Sequence, residues 1–204
     1  MNRVWLILLL FTLFCQRNTP DADELLPVTS IAVQKKDGAY HLLLEGARQS
    51  SLEGNAEAVY LSAAADSAET LFREAQAVFA EHLTFMHTSL LLVDPALTPA
   101  EVRSLCTVLL QEQGAPRSAF LACAADGNAD ALLQHEHPVE EIPGLGLRDL
   151  LRAQELQQED SIPTLSDGRA LFDSDAFLPS LALTPEDQII CGDLLPLGQT
   201  GGAS

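Results

Sequence analysis

The sequence predicts an α/β fold: a mixed sheet with an N-terminal hairpin, and helices packed on the sheet. An Asp37-Gly38 pair between two apolar runs supplies the positive φ that a tight hairpin turn requires. Residues 67–83 carry apolar side chains at the i, i+3, i+4, i+7 spacing of an amphipathic helix. Residues 89–125 have a strand, helix, strand pattern, for which a right-handed parallel crossover is the simplest connection.

The first three predicted strands form the antiparallel side of the sheet. The hairpin strands cover residues 28–34 and 39–47, and the two lysines of the chain stand at its tip, directly before Asp37. Residues 58–64 alternate between larger and smaller side chains, which favours a third strand.

The parallel part of the predicted sheet follows the first helix. Asp66, with Glu69 three residues later, has the capping-box pattern that marks the start of this helix. The continuous apolar run at 89–93 is typical of a short strand covered on both faces. Because helices and buried strands alternate here, the helices are expected to pack on the sheet.

A second capping box marks the helix of the parallel crossover. Thr98 is the expected N-cap, Glu101 the residue that completes the box, and Gly114 the stop. The next apolar run, residues 118–125, predicts the second buried strand. The remaining predicted elements are helices at 129–134 and 145–158 and strands at 177–183 and 188–191.

The N-terminus has the pattern of a secretory signal. Residues 4–14 are apolar and uncharged and follow Arg3, and this run is too short to span a bilayer. Cys15 comes directly after it, in the position that a bacterial lipoprotein acylates, for example with palmitate. An uncleaved signal anchor and a secreted free protein are the alternatives. The predicted organisation is a lipoprotein signal over 1–15, a tether over 16–24, a single α/β domain over 25–197 and a disordered tail over 198–204.

Composition excludes two classes of protein. The chain has 204 residues and a formal net charge of −18, which argues against nucleic-acid binding because phosphates require a basic surface. Its 47% hydrophobic content is too high for a disordered acidic tail. Residues 135–204 contain thirteen acidic residues and three arginines, and such a surface is repelled by anionic headgroups. Any membrane attachment is therefore expected through the N-terminus.

Candidate catalytic and metal-binding residues are few. His135 and His137 could share one face of a strand and meet a metal, but Pro138 and the polar surroundings favour a solvated loop. No nucleophile elbow, P-loop or dinucleotide motif is present. The sequence therefore predicts a protein that is not an enzyme and has no cofactor. The acidic residues considered as further ligands are Asp130, Glu140, Glu141, Asp173 and Asp175.

Three cysteines follow Cys15. Cys106 lies in a helical pattern, Cys123 in a strand pattern and Cys191 near the end of the chain. There is no CxxC pair and no Cys/His metal spacing. We expect buried small apolar side chains, with one disulfide as the alternative in an extracytoplasmic compartment.

The order of these features resembles the C subunit of bacterial spore germination receptors, the Ger(x)C lipoproteins. The resemblance covers residues 22–197 and corresponds to the N-terminal domain of a family that continues into two further domains. It rests on a signal that ends in Cys15, on the hairpin AVQKKDGAYHLLLEG, on the block SAAADSAETLFREAQAVFAEHLTFMHTSLLLVD with Glu69, Phe72, Ala75 and His87 in matching places, and on the segment EIPGLGLRDLLRAQ.

The resemblance implies a non-enzymatic, membrane-tethered component of nutrient-triggered spore germination. Its partners would be the integral-membrane A- and B-type receptor subunits. Its location would be the outer face of the inner spore membrane in a spore-forming Gram-positive bacterium.

Two other hypotheses remain open from the residues themselves. One is an extracytoplasmic domain that binds a small molecule or peptide at the carboxyl ends of the parallel strands, near Val93-Asp94 and Ala124-Asp126. The other is a metal-dependent enzyme that uses His135 and His137.

Overall fold

The computed structural model describes residues 25–49, 56–79, 82–136, 140–158, 161–170 and 176–198. Within these residues one mixed sheet forms, with helices packed against it, which confirms the predicted α/β class. The strands are β1 (Leu25–Lys36), β2 (Ala39–Gln49), β3 (Ala56–Ala65), β4 (His82–Thr84), β5 (Leu90–Val93), β6 (Phe120–Ala124), β7 (Phe177–Leu183) and β8 (Ile189–Pro196). The helices are α1 (Ala68–Val78), α2 (Pro99–Gln111), α3 (Ala129–Gln134), α4 (Pro143–Gln158) and α5 (Leu165–Arg169).

The sheet has a parallel centre and antiparallel sides. The strand order is β3-β2-β1-β5-β6-β7-β8, and β4 pairs with β1 outside this path. Strands β1, β5, β6 and β7 run parallel, whereas β2 and β8 pair with this group in the antiparallel sense. The predicted hairpin and the predicted parallel crossover are both present.

Side chains on alternate positions of the central strands enter two separate cores. On one face, Ile31 and Val33 of β1 pack with residues of α1 and α2. On the other face, Ala32 of β1 and Leu92 of β5 pack with residues of α3 and α4. Because both faces are covered, β5 is buried along its whole length, as its continuous apolar sequence predicts.

Local sequence signals define the turns and helix starts. Asp37 and Gly38 have φ values of 52° and 85°, the left-handed conformation expected of this hairpin turn. At the start of α2, the Thr98 hydroxyl accepts from the Glu101 N–H at 3.3 Å, and the Glu101 carboxylate accepts from the Thr98 N–H at 2.7 Å. The predicted capping box is therefore confirmed.

The first helix is shorter than its apolar spacing predicts. Helix α1 ends at Val78 and its N-cap is Ser67 rather than Asp66, because the Ser67 hydroxyl accepts from the Thr70 N–H. Leu83 is buried, as the helical pattern predicts, but it belongs to β4 and pairs with Leu26 of β1.

The second half of the chain also differs in detail. Helix α4 begins at Pro143, two residues before its predicted start, and β8 extends to Pro196. The short helix α5 has no counterpart among the predicted elements. In the part of the chain described here, no helix combines the length and apolar character needed to cross a membrane.

Candidate functional site

A buried carboxylate joins the hairpin to the start of helix α4. Glu45 of β2 is fully buried, and its Oε1 accepts a hydrogen bond from the Thr29 hydroxyl at 2.8 Å. Its Oε2 accepts from the Gly144 N–H, in the first turn of α4, at 2.9 Å. The carboxylate therefore satisfies an N–H that the helix cannot pair internally, at the positive end of the helix dipole.

The surroundings of this carboxylate change its acidity. Burial raises the pKa of Glu45, while the hydrogen bonds from Gly144 and Thr29 act in the opposite direction. Burial and the nearby Glu45 charge also raise the pKa of Tyr60, whose hydroxyl donates to the Leu133 carbonyl at 3.3 Å. Glu45 thus holds α4 to β2 of the hairpin, and Tyr60 holds α3 to β3.

The close approach requires glycine at position 144. A Cβ there would lie 2.5 Å from Glu45 Oε1 and would collide with the Ser30 side chain. In the sequence this glycine belongs to the segment Gly144-Leu145-Gly146. No strand is predicted before this segment, which argues against a dinucleotide-binding motif.

A second carboxylate fastens the hairpin tip to α2. Glu101 Oε1 lies 2.6 Å from Lys35 Nζ and 2.7 Å from the Tyr40 hydroxyl, which donates to it. Partial burial alone would raise the pKa of Glu101, but hydrogen bonds from Lys35, the Thr98 backbone and Tyr40 outweigh it and lower the pKa to about 2. This cluster is a structural clamp on an exposed turn.

The carboxyl ends of the parallel strands are closed by a turn. Asp94, at the end of β5, accepts from the Ala96 N–H at 2.9 Å and from the Lys35 N–H at 3.5 Å. Both carboxylate oxygens therefore bind backbone, and Asp94 is only 7% exposed. The structure assigns this residue to turn stabilisation, although the sequence placed it in a hypothetical ligand site.

His135 lies at the end of α3, beside an acidic hollow of about 660 Å³. Its Nδ1 is 3.8 Å from Asp187 Oδ1 in the turn between β7 and β8. Asp130, considered as a metal ligand, instead lies 3.6 Å from Lys36 Nζ. Among the residues that the structure describes, no three His, Cys, Asp or Glu side chains are grouped as a metal site requires. His137, Asp173 and Asp175 lie outside the described residues.

The three described cysteines are free, so the disulfide alternative is wrong. Cys106 and Cys123 are fully buried, and burial raises the pKa of each thiol to about 12. Cys191 is half-buried, and burial raises its pKa as well. The prediction of small apolar side chains is confirmed for Cys106 and Cys123. Cys15 lies outside the described residues.

The last strand pair carries apolar side chains on the surface. Phe177 is 51% exposed and Leu194 62% exposed, and Ile190 is nearly as open. Strands β3 and β8 end the strand order, so each leaves one row of backbone groups unpaired within the described sheet.

Fold and polar contacts together define a mixed-sheet α/β domain in which the buried Glu45 and the partly buried Glu101 join helices to the hairpin. The family model of the spore germination protein N-terminal domain matches residues 18–182, and the chain belongs to this family. Searches of curated proteins and of solved structures found no match.

Family membership confirms the resemblance drawn from the sequence. It gives the protein a role in spore germination like that of the C subunit of a germinant receptor. It also implies partners within a receptor complex and an association with a spore membrane. Sequence reasoning identified the family from the order of its motifs but did not identify Glu45, because a single Glu inside an apolar strand gives no sign of its partner.

Proposed function

We propose that the protein is a membrane-tethered, non-enzymatic subunit of a nutrient germinant receptor. The match of residues 18–182 to the spore germination family carries this proposal. In this arrangement the domain over 25–197 binds the integral-membrane A- and B-type subunits. It stands at the outer face of the inner spore membrane of a spore-forming Gram-positive bacterium.

The anchor in this proposal is Cys15, the last residue of the lipoprotein signal over 1–15, which carries the lipid and becomes the N-terminus when residues 1–14 are cleaved off. Residues 16–24 then form the tether. The net charge of −18 supports a domain that stands away from anionic lipid. Lipid attached at one residue can hold such a domain at the bilayer without burying its surface.

The uses of the polar side chains support a binding role rather than a catalytic one. Glu45, Asp94 and Glu101 each accept hydrogen bonds that fasten backbone or hairpin in place. The exposed Phe177 and Leu194 on the last strand pair support contact with an apolar partner surface. We assign this face to the receptor subunits.

Membrane fractionation tests the anchor. In the sporulating host, wild type and Cys191→Ala, the matched cysteine control, are expected in the membrane fraction. Both are expected to incorporate labelled palmitate, and Cys15→Ala is expected to incorporate none, in whichever fraction it is found. Equal palmitate labelling of Cys15→Ala and wild type, or no label on wild type, would refute lipid anchoring through this residue.

Co-purification tests the partners. Tagged wild type is expected to bring down the A- and B-type subunits, and Leu194→Asp to bring down less. Val78→Asp is the control, because Val78 is 66% exposed at the end of α1, and this helix packs on β3 at the opposite edge of the sheet from β8. Normal germination of a deletion strain with every nutrient, together with no co-purified subunit, would overturn the receptor role.

A further inference from the structure

A cleft of about 450 Å³ lies at the amino ends of β5 and β6, opposite the ends considered from the sequence. The loop at Met86–Ser89 forms one wall and the loop at Pro116–Phe120 another. One face of α4 completes it, because Arg148, Arg152 and Glu155 follow each other at helical spacing. The volume lies within the range of about 300–1,000 Å³ usual for small-molecule sites.

The charges that line the cleft differ from those of the whole protein. Two of the chain's eleven basic residues line it, although the net charge is −18. Arg148 is already paired with the neighbouring Asp149, with Nη2 to Oδ1 at 2.7 Å. Arg152 has no hydrogen bond or ion pair within the part of the chain that is described, so its guanidinium has its donors available.

The carboxylate that lines the cleft does not neutralise Arg152. Glu155 Oε1 accepts from the Ile162 N–H at 3.2 Å, which holds this side chain toward the segment before α5. Because Arg148 is paired with Asp149 and Glu155 is held by the Ile162 N–H, Arg152 is the lining guanidinium with no carboxylate partner among the described residues. A single unpaired guanidinium favours a monoanion over a dianionic phosphate.

The rest of the lining contributes one polar group and apolar walls. The Ser118 hydroxyl has no partner among the described residues and can donate a second hydrogen bond. Phe120 and Pro116 supply apolar surface, and the Met86 side chain, 69% exposed, stands at the rim. Methionine adapts to different ligand shapes because its chain is unbranched and flexible.

We propose that this cleft binds a small organic monocarboxylate with a short apolar body. The Arg152 guanidinium receives the carboxylate, since its planar fork matches the two oxygens. Ser118 donates to the same group, and the apolar body lies between Phe120 and Met86. The proposal goes beyond the receptor role and is tested on the purified protein, so its failure leaves that role untouched.

Calorimetric titration of the full-length chain, purified in detergent, tests the proposal with sodium butyrate as the probe. Saturable binding is expected with a Kd on the order of 1 mM, as a ligand of this size allows. Butyramide, which has nearly the same shape and no charge, is expected not to bind. Equal binding of butyrate and butyramide, or no saturable binding of butyrate, would overturn the proposal.

Arg152→Gln localises the binding. This substitution should weaken butyrate binding by about tenfold or more, because it removes hydrogen bonds to a charged group. Arg73→Gln, at an exposed arginine of α1, should leave it unchanged. If butyrate binding is weakened equally in both variants, or is weakened in neither, the assignment of the site to Arg152 would be refuted. If wild type fails to bind butyrate but Arg152→Gln loses co-purified receptor subunits, the cleft instead receives a carboxylate of a protein partner, and the proposal is wrong.

Discussion

The Glu45 carboxylate accepts the N–H of Gly144 at 2.9 Å, although the two residues are 99 positions apart in the chain. This contact attaches the first turn of α4 to the second strand of the hairpin. Helix α4 also lines the proposed carboxylate cleft, so the contact at residue 144 helps to fix the face that presents Arg148 and Arg152.

Gly144→Ala should destabilise the fold. The added Cβ would stand 2.5 Å from Glu45 Oε1, and α4 would have to move away from the sheet. We expect a loss of about 1–3 kcal/mol in the free energy of unfolding, the usual cost of overpacking. Urea unfolding followed by circular dichroism measures it. Leu156→Ala, at an exposed site on the same helix, should change little, and an equally stable Gly144→Ala protein would contradict the close approach.

Glu45→Gln should change how stability depends on pH. Because the pKa of Glu45 is raised in the folded state, that state binds the proton more tightly than the unfolded chain. This tighter proton binding contributes to the stability of the folded state. The contribution is complete below the ordinary pKa of 4.5 and is lost as pH rises through the pKa of the folded state.

The free energy of unfolding of Glu45→Gln, relative to that of wild type, should therefore rise as pH increases from 4.5 to the folded pKa of Glu45 and then level off. Urea unfolding from pH 4 upward to neutral pH measures the difference. Glu57→Gln, at an exposed position of β3, should run parallel to wild type. A constant difference between Glu45→Gln and wild type across the window would show that this carboxylate does not titrate there.

Glu101→Gln should show the opposite dependence. The pKa of Glu101 is lowered to about 2, so its stabilisation is complete above the ordinary value of 4.5 and is lost as pH falls through about 2. The variant should be less stable at neutral pH by about 1 kcal/mol, since a cap and a charged contact are weakened. This difference should shrink in acid. Glu112→Gln, exposed just past the end of α2, is the control, and a deficit that stays constant down to pH 2 would argue against the assignment.

Thiol labelling should distinguish the cysteines. In Cys15→Ser protein, iodoacetamide should modify Cys191 first, because Cys106 and Cys123 are fully buried and their pKa values lie near 12. Mass spectrometry should show one adduct on the native protein and three after denaturation. Rapid native modification of Cys106 would mean that α2 does not pack on the sheet as described.

Sequence patterns predicted the elements whose signals are local. The Asp37-Gly38 turn and the Thr98 capping box depend on residues within four positions of each other, and both are present. The end of α1 was missed because His82 and Leu83 continue the helical spacing. Their pairing with Leu25 and Leu26 of β1 is a tertiary contact that overrides that spacing.

The polar clusters and the cleft could not be predicted in the same way. Glu45 is buried because Gly144 and Thr29 supply its hydrogen bonds, and no short-range pattern relates β2 to the start of α4. The helical spacing of Arg148 and Arg152 is visible in the sequence, but the two loops that form the other walls of the cleft come from separate segments of the chain. Only the order of strands in the sheet brings these loops next to α4.

The position of β1 has a mechanical consequence. Leu25–Pro27 pair with β4, Ser30–Val33 pair with β5, and most of the strand also pairs with β2. If the chain is held at Cys15, tension from the membrane enters the domain along a strand in the interior of the sheet. The backbone hydrogen bonds between neighbouring strands lie roughly perpendicular to the strand direction. A force along β1 therefore loads many of these bonds at once instead of breaking them one after another. The proposed tether is thus attached to a strand that hydrogen-bonded neighbours hold on both sides.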